Sequence, residues 1–270
     1  MDYFRDKIAL VTGGSRGVGL ATARELARRG AKVAITARGE ERLRRSEREL
    51  IDAGAHVIAV PGDVGRWEDA QRMVEETLRA FGGLDILVNN AGVSMRGAFA
   101  DLTPELCRRV VDTNLLGCIY TTRAAAASLT AAGGHVVFVS SIAGLLGLPG
   151  ASIYCATKAA LATLAESLRL ELAEAGVHIG VAYLGFTEHD PEKRILAADG
   201  SPLPADRPAH HTQDYVARQL LRVIEQRRRE AILTGFGKVG SWAHRLSPSL
   251  VEKAIRFAKQ KNLGLYRDFS

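Results

Sequence analysis

The stretch KIALVTGGSRGVG, residues 7–19, decides the fold. Its first half is a short apolar run that reads as a buried strand over 7–13. Its second half opens a helix running from about Gly17 to Arg29. Between them lies the turn TGGSRGVG (12–19). Glycines there let the backbone approach a ligand closely, and the start of the helix offers free N–H groups to an anion. The spacing is TGxxxGxG, with Gly13, Gly17 and Gly19 at the fixed positions, rather than the commoner GxGxxG. Strand, glycine turn and helix in that order predict a diphosphate seated on the turn, with Ser15, Arg16 and Val18 beside it.

Outward from this unit, short apolar runs alternate with longer helical patterns. Strands are expected at 32–36, 56–61, 84–90, 134–140, 177–183 and 230–235, and helices at 40–53, 67–81, 104–131, 152–175 and 214–228. Such alternation predicts an α/β fold: one doubly wound Rossmann-type domain over 1–270, with a parallel seven-stranded sheet and helices on both faces. Residues 185–213 lack periodicity and hold four prolines and the pair His210–His211, so they read as a long loop with a short helix, a lid over a site. The histidine pair lacks a third ligand at plausible spacing, so no metal site is expected.

Of 270 residues, 47% are hydrophobic, enough for one large core. No run is long and apolar enough to read as a membrane span. The opening MDYFRDKIALVTGG shows no basic, apolar and small-residue series, and the three cysteines (Cys107, Cys118, Cys155) are not at metal-ligand spacing. They read as reduced thiols, and a cytoplasmic location is expected. The net charge of +6 is uneven: from Lys238 onward there are seven Lys/Arg against two acids. A general nucleic-acid binder is therefore not expected, and the extension near 236–270 reads as basic and amphipathic.

The end of the second strand selects the nucleotide. A carboxylate there accepts hydrogen bonds from the ribose hydroxyls of NAD and repels a 2′-phosphate. This chain reads AITARGE, with Ala37 in the likely acid position and Arg38 after it. A guanidinium grips phosphate through paired hydrogen bonds, and Arg16 in the turn flanks the same place. The expected cofactor is NADP(H).

One more pattern completes the reading. SIYCATKAA (152–160) puts Tyr154 and Lys158 one helical turn apart on the same face. An ammonium beside a phenol favours the phenolate. Together with TGxxxGxG, Asp63–Val64, NNAG (89–92), Asn114 in DTNLLG and the serines at 140–141, this set resembles the short-chain dehydrogenase/reductase family, closely over 7–185 and loosely beyond. The resemblance implies roles. Tyr154 is the general acid in carbonyl reduction and the base in alcohol oxidation. Lys158 assists it and bonds the nicotinamide ribose. Ser141 bonds the substrate oxygen, and Asn114 holds a relay water. Asp63 reads the adenine with Val64 packed nearby, and Asn90, Ala91 and Gly92 border the cofactor. Hydride transfer to a carbonyl builds charge on oxygen, which needs a donor and a proton source, so the chemistry agrees. The chain departs from the family where Pro-Gly commonly follows the sixth strand: YLGFTEHD has Leu184 instead of proline, leaving Thr187 to contact the nicotinamide amide or a cofactor phosphate.

The apolar stretch IAGLLGLPG (142–150) suggests a hydrophobic substrate, a lipid- or steroid-like ketone or alcohol, met by Val93, Met95, Leu145, Leu148, Phe186 and His189. The resemblance implies a homodimer or homotetramer through the helices near 104–131 and 152–175. The C-terminal helix near 247–261 is expected to pack on protein, with an anionic membrane surface as the alternative. Two rival readings use the same fold: an isomerase or dehydratase, and a non-catalytic NADP(H)-binding regulator.

Overall fold

A computed structural model describes residues 2–188, 190, 192–204 and 209–261. Its elements in chain order are β1 (Ile8–Thr12), α1 (Gly17–Arg28), β2 (Lys32–Ala37), α2 (Glu40–Asp52), β3 (Val57–Pro61), α3 (Trp67–Phe81), β4 (Ile86–Asn89), α4 (Pro104–Val111), α5 (Gly117–Ala132), β5 (His135–Ser141), α6 (Ser152–Glu171), β6 (His178–Leu184), β7 (Arg194–Leu196), β8 (Pro202–Pro204), α7 (Gln213–Glu225), β9 (Glu230–Ile232), α8 (Gly235–Leu246) and α9 (Pro248–Gln260).

Seven strands form one parallel sheet in the order β3-β2-β1-β4-β5-β6-β9. Successive strand residues face opposite sides, so each strand feeds two cores. Ala9 and Val11 of β1 join Val33, Ile35, Leu26 and Leu220 on one side. Leu10, between them, joins Ala34, Leu87, Phe138, Leu161 and Leu129 on the other. Each buried Val, Leu, Ile or Phe among them contributes about 1.5–3 kcal/mol relative to exposure. Both faces are covered, which is why the strands are continuous apolar runs. The strand order reverses between β1 and β4, and a crevice opens there at the carboxyl ends.

Three expectations change. The single helix expected over 104–131 is two helices joined by a π turn, Asp112–Leu116, in which the Gly117 N–H bonds the Asp112 carbonyl. Composition carries no mark of such a turn. Among the described residues, the region 185–213 contains an antiparallel hairpin, β7 with β8, rather than a short helix. Prolines at both ends of β8 hid it, because proline normally counts against a strand. Beyond β9, the helix expected near 247–261 is present as α9, and a further helix, α8, precedes it.

The lower edge of the sheet buries a histidine pair. His135 and His178 begin adjacent strands with ring centroids 5.3 Å apart, and the Tyr3 hydroxyl lies 2.6 Å from His135 Nε2. Burial first, and then the neighbouring His178, Arg227 and Lys7, push the His135 pKa down to about 4; Asp85 acts weakly in the other sense. Burial also lowers the His178 value. The unfolded chain therefore binds protons that the folded chain refuses, and stability falls as the pH drops from 6.5 towards about 4. The depressed carboxylates Asp2, Glu25 and Asp69 act at lower pH still, as the pH falls below their ordinary values of 3.8–4.5. Thermal melts should show the melting temperature falling already between pH 6.5 and 5, and His135→Gln should flatten that slope. An unchanged slope in the variant would assign the effect elsewhere.

Candidate active site

The crevice is a groove of about 610 Å³. One wall is the glycine turn. Gly13 has a φ of +67°, open to glycine without strain. Gly19 is constrained by space: a Cβ there would sit 2.2 Å from the Gly13 carbonyl oxygen and 2.4 Å from Asn90 Nδ2. The turn is also tied to the chain beyond β4. Asn90 Nδ2 donates to the carbonyls of Thr12 (2.8 Å) and Gly13 (3.3 Å), and Thr12 Oγ1 accepts from the Asn90 and Ala91 N–H groups at 3.0 Å each. No side chain caps the start of α1, so its first N–H groups are left to a ligand. A cradle without side chains, at a helix start and a strand-order reversal, fits the diphosphate of a dinucleotide.

At the adenosine end, Arg38 Nη1 lies 3.6 Å from Asp63 Oδ2, and the guanidinium remains half-exposed. The Asp63 carboxylate also accepts from the Gly65 N–H at 3.0 Å, and Val64 is buried beside Met73. Arg16 reaches across the opening and donates to the Glu192 carbonyl at 3.2 Å. A third guanidinium, Arg42 in the first turn of α2, also lines the groove and pairs with Asp190 at 2.8 Å and with Glu192. The lid thus brings two carboxylates to the basic end of the groove.

The other wall carries the reactive groups. Ser141 ends β5, and its hydroxyl accepts from the Ala143 N–H at 3.2 Å. Tyr154 lies in the first turn of α6, half-buried against the cluster of Met95, Leu106, Val110 and Leu196. Lys158 is 4% exposed, donates to the Val139 carbonyl at 2.8 Å, and places its Nζ 6.0 Å from the centre of the Tyr154 ring. Ser140 fixes this end of α6 by donating to the Lys158 carbonyl at 2.8 Å. Asn114 is fully buried in the π turn. Its Oδ1 accepts from the Val93 N–H at 2.8 Å, and its Nδ2 donates to the Val93 carbonyl at 2.9 Å and to Thr157 Oγ1 at 3.3 Å. A Cβ on Gly92 would lie 3.2 Å from Asn114 Oδ1 and 3.4 Å from Lys158 Nζ, so Gly92, Asn114 and Lys158 meet at one point. Behind them, burial pushes the Cys118 thiol up to about 11, which keeps it protonated.

The groove brings together Gly13, Ser15, Arg16, Gly17, Val18, Gly19, Arg38, Asp63, Val64, Asn90, Ala91, Gly92, Val93, Ser141, Tyr154, Lys158 and Thr187. Thr187 Oγ1 is 3.3 Å from the Gly185 carbonyl, on the wall formed after β6. Most of the expected substrate contacts fall elsewhere. Met95 is a core residue, 3% exposed, next to Leu196. Leu145 packs on the inner core and Leu148 on Ala143, Ala151 and Cys155, because the apolar side of 142–150 turns inward. Phe186 sits edge-on to the His210 ring at 5.6 Å, and His211 stacks on Tyr215 at 4.7 Å. His189 lies outside the described residues. Val93 lines the groove as expected, and Leu184, Leu196 and Pro202 join it. The sequence reading also missed Thr12 and Arg42. A hydroxyl closing β1 and an arginine one helical turn after Arg38 were the available signals.

A glycine cradle at the reversal of a parallel sheet, facing a Ser/Tyr/Lys wall, defines a doubly wound dinucleotide-binding protein. The family model described as short chain dehydrogenase matches residues 7–199. The chain is 35% identical over 262 residues to YxnA, an uncharacterized oxidoreductase of Bacillus subtilis (strain 168), covering 93% of this chain and 73% of that protein. It is 38% identical over 188 residues to 11-beta-hydroxysteroid dehydrogenase-like 2 of Arabidopsis thaliana, covering 68% of this chain and 60% of the plant protein, so it spans less than two thirds of that relative's length. The crystal structure of a short chain dehydrogenase/reductase from Burkholderia phymatum in complex with NAD superposes with a TM-score of 0.83 at 26% identity, covering 93% of this chain and 96% of that one. The chain belongs to the short chain dehydrogenase family.

Proposed function

We propose that the protein is an NADP(H)-dependent oxidoreductase acting on the carbonyl or secondary alcohol of an apolar, lipid- or steroid-like substrate. The observation that carries the reading is the placement of Ser141, Tyr154 and Lys158 on one groove whose far end holds Arg16 and Arg38, with Ala37 where a ribose-binding acid would stand. When bound, the nicotinamide supplies or accepts the hydride. The protein's part is positional and electrostatic. The Tyr154 phenol gives its proton to the substrate oxygen in reduction and takes it back in oxidation. The Ser141 hydroxyl donates to the same oxygen as charge builds there. The Lys158 ammonium, held by the Val139 carbonyl, steadies the phenolate and offers its remaining protons to the ribose. Asn114 fixes the backbone at Val93 in the loop after β4, with a relay water between it and Lys158 as part of this reading.

Two observations support an apolar substrate. Tyr154 is flanked by the cluster holding Val93, Ile153 and Leu196. One relative is named a hydroxysteroid dehydrogenase-like protein. A cytoplasmic homodimer or homotetramer, joined through α5 and α6, belongs to the same reading; Leu170 on α6 is 79% exposed in the single chain. The test is a substrate panel with NADPH: steady turnover of bulky alicyclic ketones, and little of small charged keto acids, is expected. The opposite ranking would overturn the substrate class.

A further inference from the structure

We propose that α8 and α9 form a docking surface for an anionic lipid membrane. The two helices carry five of the large exposed hydrophobic side chains of the protein: Val239, Trp242, Leu246, Leu250 and Phe257 are each 57–67% exposed. In α8, Val239, Trp242 and Leu246 follow helical spacing and form one outward stripe. In α9, Val251 and Ile255 are half-buried while Leu250 and Phe257 stay outside. α9 packs chiefly on α8, so nothing among the described residues covers this outer edge.

Charge identifies the occupant. Lys238, Lys253, Arg256 and Lys261 are exposed. Lys238 precedes Trp242 by one turn, and Lys253 lies one turn from both Leu250 and Phe257, so each ammonium flanks the apolar stripe. Basic groups beside an apolar face with an exposed tryptophan match the layers of an anionic bilayer surface, where headgroups meet acyl chains. A second copy of the chain is the poorer partner, because it would bring together two segments that each hold seven Lys/Arg against two acids from Lys238 onward. Among the described residues, no helix is long and apolar enough to cross a membrane, so the contact is peripheral.

The face also borders the active-site region. A Cβ on Gly237 would meet Ile142 Cγ2 at 2.6 Å, and one on Gly240 would lie 3.8 Å from Leu146 Cδ2. The helices thus rest on the 142–150 stretch that follows Ser141. Docking would set that side of the molecule against the lipid. This inference stands on the surface alone and holds whichever substrate the site accepts.

The test uses the full-length protein and vesicles of phosphatidylcholine, with or without phosphatidylglycerol. Co-sedimentation is expected with the anionic vesicles, weaker with the neutral ones, and reversed by high salt. W242E/L246E should weaken partitioning by at least roughly tenfold, and K253Q/R256Q by roughly fivefold per charge on anionic vesicles only. Unchanged thermal melts would show that both variants keep the fold. Failure to sediment with either vesicle would overturn the proposal. So would variants that bind as the parent does, or a lipid-free dimer that W242E/L246E takes apart.

Discussion

Replacing Tyr154 with phenylalanine should lower turnover by about 10²- to 10⁴-fold, the usual contribution of a positioned general acid. The ring would keep its place against Val93, Ile153 and Leu196, and Lys158 would keep its bond to the Val139 carbonyl. Nicotinamide binding should therefore change little. Stopped-flow hydride transfer, paired with a fluorescence titration of NADPH, separates the two effects. A variant that turns over like the parent would remove the phenol from the mechanism. One that loses cofactor binding would mean that the tyrosine is chiefly a wall of the cofactor site. Lys158→Met should do both kinds of damage, since its ammonium lies at the meeting point of Gly92 and Asn114 as well as near the phenol.

The second large effect concerns the nucleotide. Charge-assisted hydrogen bonds contribute about 1.5–3 kcal/mol each, so removing Arg38 should weaken NADPH binding by roughly 10- to 100-fold. NADH binding should stay nearly constant, because Arg38 sits beside the Asp63 carboxylate at the 2′-phosphate end and no acid stands at position 37. Arg16→Ala should act in the same direction. The two changes together should bring the preference for NADPH over NADH close to parity, read from the ratio of the two titrations. A parent protein that already prefers NADH would overturn the reading of both arginines and leave the hydride chemistry intact. The carboxylates of Asp190 and Glu192 add a refinement. They pair with Arg42 at the same end of the groove, so a 2′-phosphate there meets like charge unless the lid shifts.

The parts of the protein that were legible from sequence share one physical property: their residue types follow directly from burial. Six strands were readable within a residue or two, and β9 was expected three residues too long; a strand covered on both faces is largely apolar, as in Ile8–Thr12 and Val136–Val139. The glycine turn and the Tyr154–Lys158 pair were readable because few residue types fit them. The π turn at Asp112–Leu116 was not, since it changes hydrogen bonding without changing composition. The lid hairpin was obscured by its prolines. How the 142–150 wall packs was hidden for a different reason. Leu145 and Leu148 are apolar in either orientation, and only the backbone path through 142–150 decides that they face the core.

The cradle for the diphosphate is not a local object. Its hydrogen bonds join Thr12 and Gly13 to Asn90 and Ala91, partners 77 to 79 positions apart in the chain. Contacts of such separation form only after the intervening loop has closed, at an entropic cost that local pairs avoid. A ribosome must therefore deliver β4 and the residues after it before the first β-α unit can hold nucleotide. The cofactor cannot template the earliest folding step. A nucleotide bound there would act as a late clamp, stabilising the finished fold by mass action rather than speeding its formation.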